Sequence, residues 1–288
     1  MSAVEVTRMP GTGALYRRAA LKLVPGLGGK PREALPDLEL VLRGATVDRV
    51  HLAEYNRVCG FRLSDTLPGT YPHVMAFPLA LQLMTAPDFP LPLVGLVHLA
   101  NRITVARPID ASETLDFTVH AADLRPHDRG RQVDVVATAR VGDEVVWRGA
   151  STYLRKERTA DQRERRTGDE RAAPPAASAQ WRVQPRVGTD YGRVSGDRNP
   201  IHTSRLGARL LGFPRPIAHG MWSKARCLAA LENRLPDAYT VEVAFKLPIL
   251  LPSTVAFSAT PAADDTRSWD FALHSARSGK PHLTGSIS

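Results

Sequence analysis

Apolar and polar positions alternate with a period of two in eight stretches of this chain, and the stretches fall into two groups of four. The first group covers 97–106, 113–124, 132–141 and 145–153; the second covers 240–245, 254–260, 267–275 and 282–287. Such alternation puts the apolar side chains of a strand on one face, so each group predicts a half-buried antiparallel sheet. Gly130, Gly142-Asp143 and Ser278-Gly279-Lys280 supply the turns between strands. Ahead of each group stands a helical run. The first, Val74 to Met84, is apolar on nearly every side, as a helix enclosed by a curled sheet must be. Pro78 is expected in its first turn, where no N–H partner is lost. Helix and then meander, repeated, predicts an α+β fold made of two tandem units, each a sheet wrapped around one central helix.

The repetition is also visible in the letters. Tyr55-Asn56-Arg57-Val58-Cys59-Gly60 stands against Tyr191-Gly192-Arg193-Val194-Ser195-Gly196, and Tyr71-Pro72-His73-Val74-Met75 against Ile217-Ala218-His219-Gly220-Met221. The two copies differ between these landmarks. His73 follows Gly60 by thirteen positions, whereas His219 follows Gly196 by twenty-three. The extra segment of the second copy holds Asp197-Arg198-Asn199-Pro200-Ile201-His202 and a short helix over 204–211, stopped by Gly212 and Pro214. Chemistry in that insertion therefore occurs once per chain. The expected division is an N-terminal extension over 1–37, a first unit over 38–156, a charged and then Pro/Ala-rich linker over 157–178, and a second unit over 179–288. Paired edge to edge, the two sheets would give a single chain its own dimer, with room for a homodimer of chains beyond that.

Composition narrows the function classes. The chain has 288 residues and a formal charge of +9, but its basic residues are dispersed among acids and no aromatic-basic reader motif appears, which argues against nucleic acid. Cys59 and Cys227 have no metal spacing and form no disulfide framework, which suits a reducing cytoplasm. Residues 1–30 lack a signal-peptide core, and no run approaches the length of a transmembrane helix. Ala14 to Val24 is a short basic helix before Pro25; it reads as packing on its own domain rather than as a membrane-surface anchor.

Asp197 and His202 carry the most chemistry. Alone, they would pass for a turn residue and a satisfied loop histidine. The chain Ser195-Gly196-Asp197-Arg198-Asn199-Pro200-Ile201-His202, followed after a helix by His219-Gly220-Met221, resembles the two-part signature of the MaoC-like hydratase/dehydratase family, also called R-specific enoyl-CoA hydratase 2. The first half is similar to the degenerate partner unit of the double hotdog members, including (3R)-hydroxyacyl dehydratases of mycobacterial type. The resemblance implies a tandem double hotdog and the addition or removal of water across the 2,3 bond of an acyl thioester, carried by CoA or by acyl carrier protein. It implies Asp197 and His202 as the catalytic pair, Asn199 in the same site and the Gly220 amide as donor to the thioester oxygen. It implies no cofactor. One departure is that some small members carry a Ser on the central helix where this chain has Leu228.

The reaction asks for such groups independently. Water beside C3 needs a base, C2 needs an acid, and the thioester oxygen needs a donor as negative charge develops. Gly220, at a helix N-terminus without a side chain in the way, can be that donor. Arg193, Arg198, Arg215 and Lys246 flank the expected cleft as candidate substrate contacts. His219, also a candidate contact, reads as structural at the helix entrance, because His73 holds the matching place in the unit without the insertion. A metal bound by Asp197 and His202 would lack an obvious third ligand. Ser195 and Cys59 read as buried small residues and not as nucleophiles. A non-catalytic acyl-thioester or lipid-binding protein and an acyl-CoA thioesterase are the alternative readings on the same fold.

Overall fold

The computed structural model of the protein describes residues 2–21, 34–157, 175–262 and 265–288. The expected linker over 157–178 lies outside them except for its ends. The expected N-terminal helix is present over Thr12–Leu21 (α1), preceded by strand Ser2–Glu5 (β1); positions 22–24 lie outside the described residues.

In chain order there follow β2 (Leu38–Ala45), α2 (Arg49–Cys59), α3 (Tyr71–Met84), β3 (Leu96–Val105), β4 (Leu115–His127), β5 (Gly130–Val141) and β6 (Glu144–Lys156). The second half contains β7 (Ala179–Val183), α4 (Val187–Ser195), α5 (Pro200–Thr203), α6 (Arg205–Leu210), α7 (Gly220–Ala230), β8 (Tyr239–Phe245), β9 (Ser253–Ala262), β10 (Asp265–Ser275) and β11 (Pro281–Ile287). All eight alternating stretches are strands. The opening strand of each unit, β2 and β7, and the helices α2 and α4 that follow them are additions to the sequence reading.

The strands form one sheet in the order β1-β2-β4-β5-β6-β3-β8-β11-β10-β9-β7. Each half uses the same internal order, its first strand at the outer edge and its second at the centre, so the halves join through β3 and β8. That seam is antiparallel and runs from Ala100 opposite Ala244 to Val105 opposite Tyr239. Thr104 stands opposite Thr240, their hydroxyls 3.0 Å apart. Tyr55 and Tyr191 also meet, with ring centroids 6.3 Å apart. Tyr55 and Tyr191, equivalent in the repeat and in contact with each other, mark an internal two-fold relation.

The paired helices α2 and α4 start and stop for local reasons. The Asp48 carboxylate accepts from the amides of Val50 (2.9 Å) and His51 (3.2 Å), capping α2. Both helices end on a left-handed glycine, Gly60 at φ 85° and Gly196 at φ 74°, a conformation that costs glycine least. Gly196 thereby turns the chain directly into Asp197.

Helix α3 is buried on nearly all sides against the first half of the sheet, as its composition predicts. It begins three residues earlier than expected, at Tyr71. Pro72 therefore occupies the first turn, and Pro78 sits in the interior, where it deprives the Val74 carbonyl of its usual donor. The closely packed Phe77 and Leu79 around Pro78 hold the helix despite that loss. Helix α7 fills the second half with Met221, Trp222, Ala225, Cys227 and Leu228. Both cysteines are free and buried, and burial pushes both thiols up.

Candidate active site

The insertion between α4 and α7 folds into two short helices that bring Asp197 and His202 together. Ser195, the last residue of α4, accepts from the Asp197 amide through its Oγ (3.2 Å). The Asn199 side chain caps α5 by accepting from the Ile201 amide (3.3 Å), while the Asn199 amide donates to Asp197 Oδ1 (3.2 Å). Asn199 thus fixes both the entry of the helix carrying His202 and one oxygen of the carboxylate. Pro200 takes the first helical position, where its missing N–H costs nothing.

His202 is buried, and its Nδ1 lies 2.8 Å from the Ile217 carbonyl. A carbonyl only accepts, so Nδ1 carries the hydrogen and Nε2 keeps its lone pair. His219 lies beside it. The two imidazole rings stack with centroids 3.6 Å apart at 25°, and His219 Nε2, 2.9 Å from the Asp197 backbone oxygen, donates there. The role expected for His219 at the helix entrance therefore extends further: it packs against one proposed catalytic group and holds the backbone of the other. Its Nε2 is also 3.8 Å from Asp197 Oδ2.

One nitrogen or oxygen from each of Asp197, His202 and His219 lies within 4.8 Å of the others. His219 is thus the third donor that the sequence spacing concealed. The trio does not fit a metal, however. Nearly parallel stacked rings send their in-plane lone pairs side by side, whereas a tetrahedral ion needs them to converge at about 2.0–2.1 Å.

Burial would raise the Asp197 carboxyl, but His219, His202, a hydrogen bond from Tyr16 and the Asn199 amide outweigh it and hold it below the usual carboxylate range. Burial pushes His202 down, against the pull of Asp197 and the Ile217 carbonyl. His219 is pushed down to about 3 by burial and by His202. The site at neutral pH thus presents a carboxylate and two neutral imidazoles.

Gly220 opens α7 immediately after His219, so its amide is one of the first-turn N–H groups that have no acceptor within the helix. A Cβ there would lie 3.0 Å from the Phe245 ring, so the ring closes over the glycine. Ser223 Oγ donates to the His219 carbonyl (3.3 Å), one turn back along its own helix, and Leu228 is buried. Arg198, Arg215 and Lys246 are exposed. Arg193, also exposed, lies 3.5 Å from both Glu54 and Asp190, on the flank of α4 that faces α2.

The residues that sequence reasoning missed are Gly188 and Tyr16. Gly188 carries no motif; its place becomes clear only because a Cβ there would stand 2.1 Å from the His202 carbonyl oxygen. Gly188→Ala should push α5 off α4 and cost about 1–3 kcal/mol, read as a lowered midpoint in denaturant unfolding. Tyr16, on α1, donates to Asp197 Oδ1 from 181 residues away.

A narrow cavity lies between α3 and strands β5 and β6, with His73, Phe77, Ala80, Gly149 and Tyr153 among its walls. His73 and Tyr153 both feel the charge of Asp197. A larger groove, about 590 Å³, is lined by Arg102, Asp134, Glu242 and Asp270 and includes none of these site residues.

Comparison with known proteins identifies the family. The family described as MaoC like domain matches residues 166–277. The 3-hydroxyacyl-thioester dehydratase X of Mycobacterium tuberculosis is 36% identical over 285 residues, covering 98% of this chain and 99% of that protein. The crystal structure of HtdX from Mycobacterium tuberculosis superposes with a TM-score of 0.76 at 35% identity, over 86% of this chain and 98% of that one. A further Mycobacterium tuberculosis structure, described as a double hotdog fold, matches with a TM-score of 0.52 at 14% identity over 86% of this chain and 94% of that one, a likeness of fold alone. With a near full-length relative, a shared double hotdog architecture and both parts of the signature brought side by side, the chain belongs to the MaoC-like dehydratase family.

Proposed function

We propose that the protein is a hydro-lyase that adds water to trans-2-enoyl thioesters and removes it from (3R)-hydroxyacyl thioesters, in fatty-acid metabolism. The observation that carries this reading is the convergence of an ionised Asp197 and a neutral His202, with Nε2 unencumbered, on a space that a single water can bridge. A water donating to both groups turns a lone pair toward C3. As the C3–O bond forms, the water's proton passes to His202 or Asp197, and the C2=C3 electrons move toward the thioester oxygen. The Gly220 amide, with the α7 dipole behind it, steadies that oxygen. The pair then returns a proton to C2, so water is consumed and nothing else is needed. Dehydration runs the same steps backwards.

The acyl tail is assigned to the first unit because that unit lacks the insertion that would cover it; the cavity lined by His73, Phe77 and Tyr153, about 10 Å³, holds no more than one water and must widen to admit the tail. Arg198, Arg215 and Lys246 remain exposed and available to the phosphates of CoA or to an acidic carrier protein, with Arg193 a further candidate if it leaves its ion pairs. The chain is assigned units at 38–156 and 179–288, joined by 157–178, a division that the repeated strand order supports. Pairing through β3 and β8 makes the chain its own dimer. No helix among the described residues is long and apolar enough to cross a membrane, and two buried free cysteines fit a cytoplasmic enzyme.

The test is a series of enoyl-CoA substrates from crotonyl-CoA upward, following loss of the conjugated thioester and release of free thiol together. Hydration without thiol release is expected. Thiol release would make the protein a thioesterase, and binding without turnover would make it an acyl-thioester carrier.

A further inference from the structure

The N-terminal segment crosses from one unit to the other. Strand β1 adds in parallel to the outer edge of the first unit, Ser2 opposite Leu38 through Glu5 opposite Val41. From there α1 lies by the first unit's α3 and ends its reach in the second unit: Ala19 is buried, Thr12 packs on Gly196 beside Asp197, and the Tyr16 hydroxyl donates to Asp197 Oδ1. The Asn199 amide donates to the same oxygen. Both protein donors thus sit on Oδ1, and Oδ2 is the oxygen on the side of His219.

We propose that Tyr16 is a positioning residue of the hydration reaction: with Asn199 it pins the Asp197 carboxylate through Oδ1, so that Oδ2 is the oxygen presented to the reacting water. This rests on the hydro-lyase reading above and adds the N-terminal segment to its active site. Two donors fix the rotation of a carboxylate about its Cβ–Cγ bond; one backbone donor leaves it freer to turn. Burial and the neighbouring Asp197 charge keep the Tyr16 hydroxyl protonated well above its ordinary range, so it remains a donor throughout the working pH range. Because Tyr16 acts through Asp197 and not on the substrate, its loss should reduce the chemical step and leave binding alone.

The groups facing Asp197 from each packed element are Tyr16 on α1, His73 on α3, His98 on β3, Tyr153 on β6, Tyr191 on α4, His202 on α5 and His219 before α7. Burial leads each of the following shifts: His73 is held down to about 4, and His98 and His219 to about 3, and the tyrosines are raised. Asp197, held below its ordinary 3.8, stays ionised across the working pH range of the wild type. The Tyr16 hydrogen bond favours the carboxylate, so removing it moves the Asp197 carboxyl upward and carries the acid limb of the rate profile toward neutral pH.

Tyr16→Phe keeps the ring and removes only the hydroxyl. In the hydration assay with crotonyl-CoA, kcat should fall about tenfold with KM within about twofold, and the acid limb of kcat against pH should move upward. Unchanged kcat and an unchanged acid limb in the folded variant would overturn the assignment and leave Tyr16 as packing alone. Hydrogen exchange of the α1 amides gives a readout that does not need turnover: Tyr16→Phe and Asp197→Ala, which leaves the hydroxyl no acceptor, should each speed it, and the double variant no more than the faster single. Additive effects would reject the contact. Absence of hydration by the wild type would instead sink the hydro-lyase reading, whatever the exchange shows.

Discussion

Asp197→Asn lowers hydration turnover by about 10²- to 10⁴-fold while the protein stays folded, and His202→Ala does the same. The asparagine is nearly isosteric, and its amide oxygen can still accept from Tyr16 and from the Asn199 amide, so the bonds that place the side chain survive. What is lost is a group that can take and return a proton. The carboxylate is also the negative charge that opposes the desolvation of His202, so the imidazole's protonation should become harder in the variant. Both changes act on the barrier more than on binding, and KM should move little. Steady-state kinetics with an enoyl-CoA, alongside thermal unfolding of the same preparations, checks this. Wild-type turnover in a folded Asp197→Asn protein would reject the acid–base pair.

The parts of this site that could be read in the letters are those close together in sequence. Asp197, Asn199, Pro200 and His202 fall within six positions, and each has a residue-specific reason to be there: carboxylate, cap, first helical residue, imidazole. The repeat was legible because Tyr55 and Tyr191, with the glycines that end their helices, occupy equivalent places on the two sides of an internal two-fold relation. Helix α2 itself was recoverable in hindsight from the Asp48 cap and from buried Leu52, Tyr55 and Cys59 at helical spacing. Tyr16 was not recoverable. It has no neighbour in sequence that betrays its partner, and only the path of β1 and α1 across the first unit brings it to Asp197. The misplaced role of Pro78 has a similar origin, since the start of α3 is set by packing and not by the first apolar residue.

Lys224 offers the largest expected change in stability. It sits in the middle of α7 among Trp222, Ala225 and Leu228, fully buried, and its Nζ donates to Asn101 Oδ1 (2.6 Å), to the Val241 carbonyl (3.1 Å) and to the Asn101 carbonyl (3.2 Å). Asn101 in turn donates through Nδ2 to Ser151 Oγ (3.0 Å) and to the Ala150 carbonyl (3.3 Å). One side chain from the second unit's helix thus ties β3 of the first unit to β8 of the second, at the seam. Lys224→Ala leaves those acceptors without their donor and opens a cavity beneath them, a loss of about 3–5 kcal/mol in denaturant unfolding. Lys224→Met fills the space but still strands the acceptors, for about 1–3 kcal/mol. A pH test separates the titrating amine from mere volume. Burial pushes the lysine well below its ordinary value, with Glu242 opposing, so the unfolded chain binds more protons at this position than the folded one. By linkage that contribution makes stability rise with pH from the folded-state value up to the ordinary 10.5. The raised thiols of Cys59 and Cys227 and the raised tyrosines pull the other way above about pH 9, so the readout is the difference between wild type and Lys224→Met. That difference should shift in favour of the wild type as pH rises above neutral; a difference independent of pH, or a Lys224→Ala protein within 1 kcal/mol of wild type, would show that the seam does not depend on this amine.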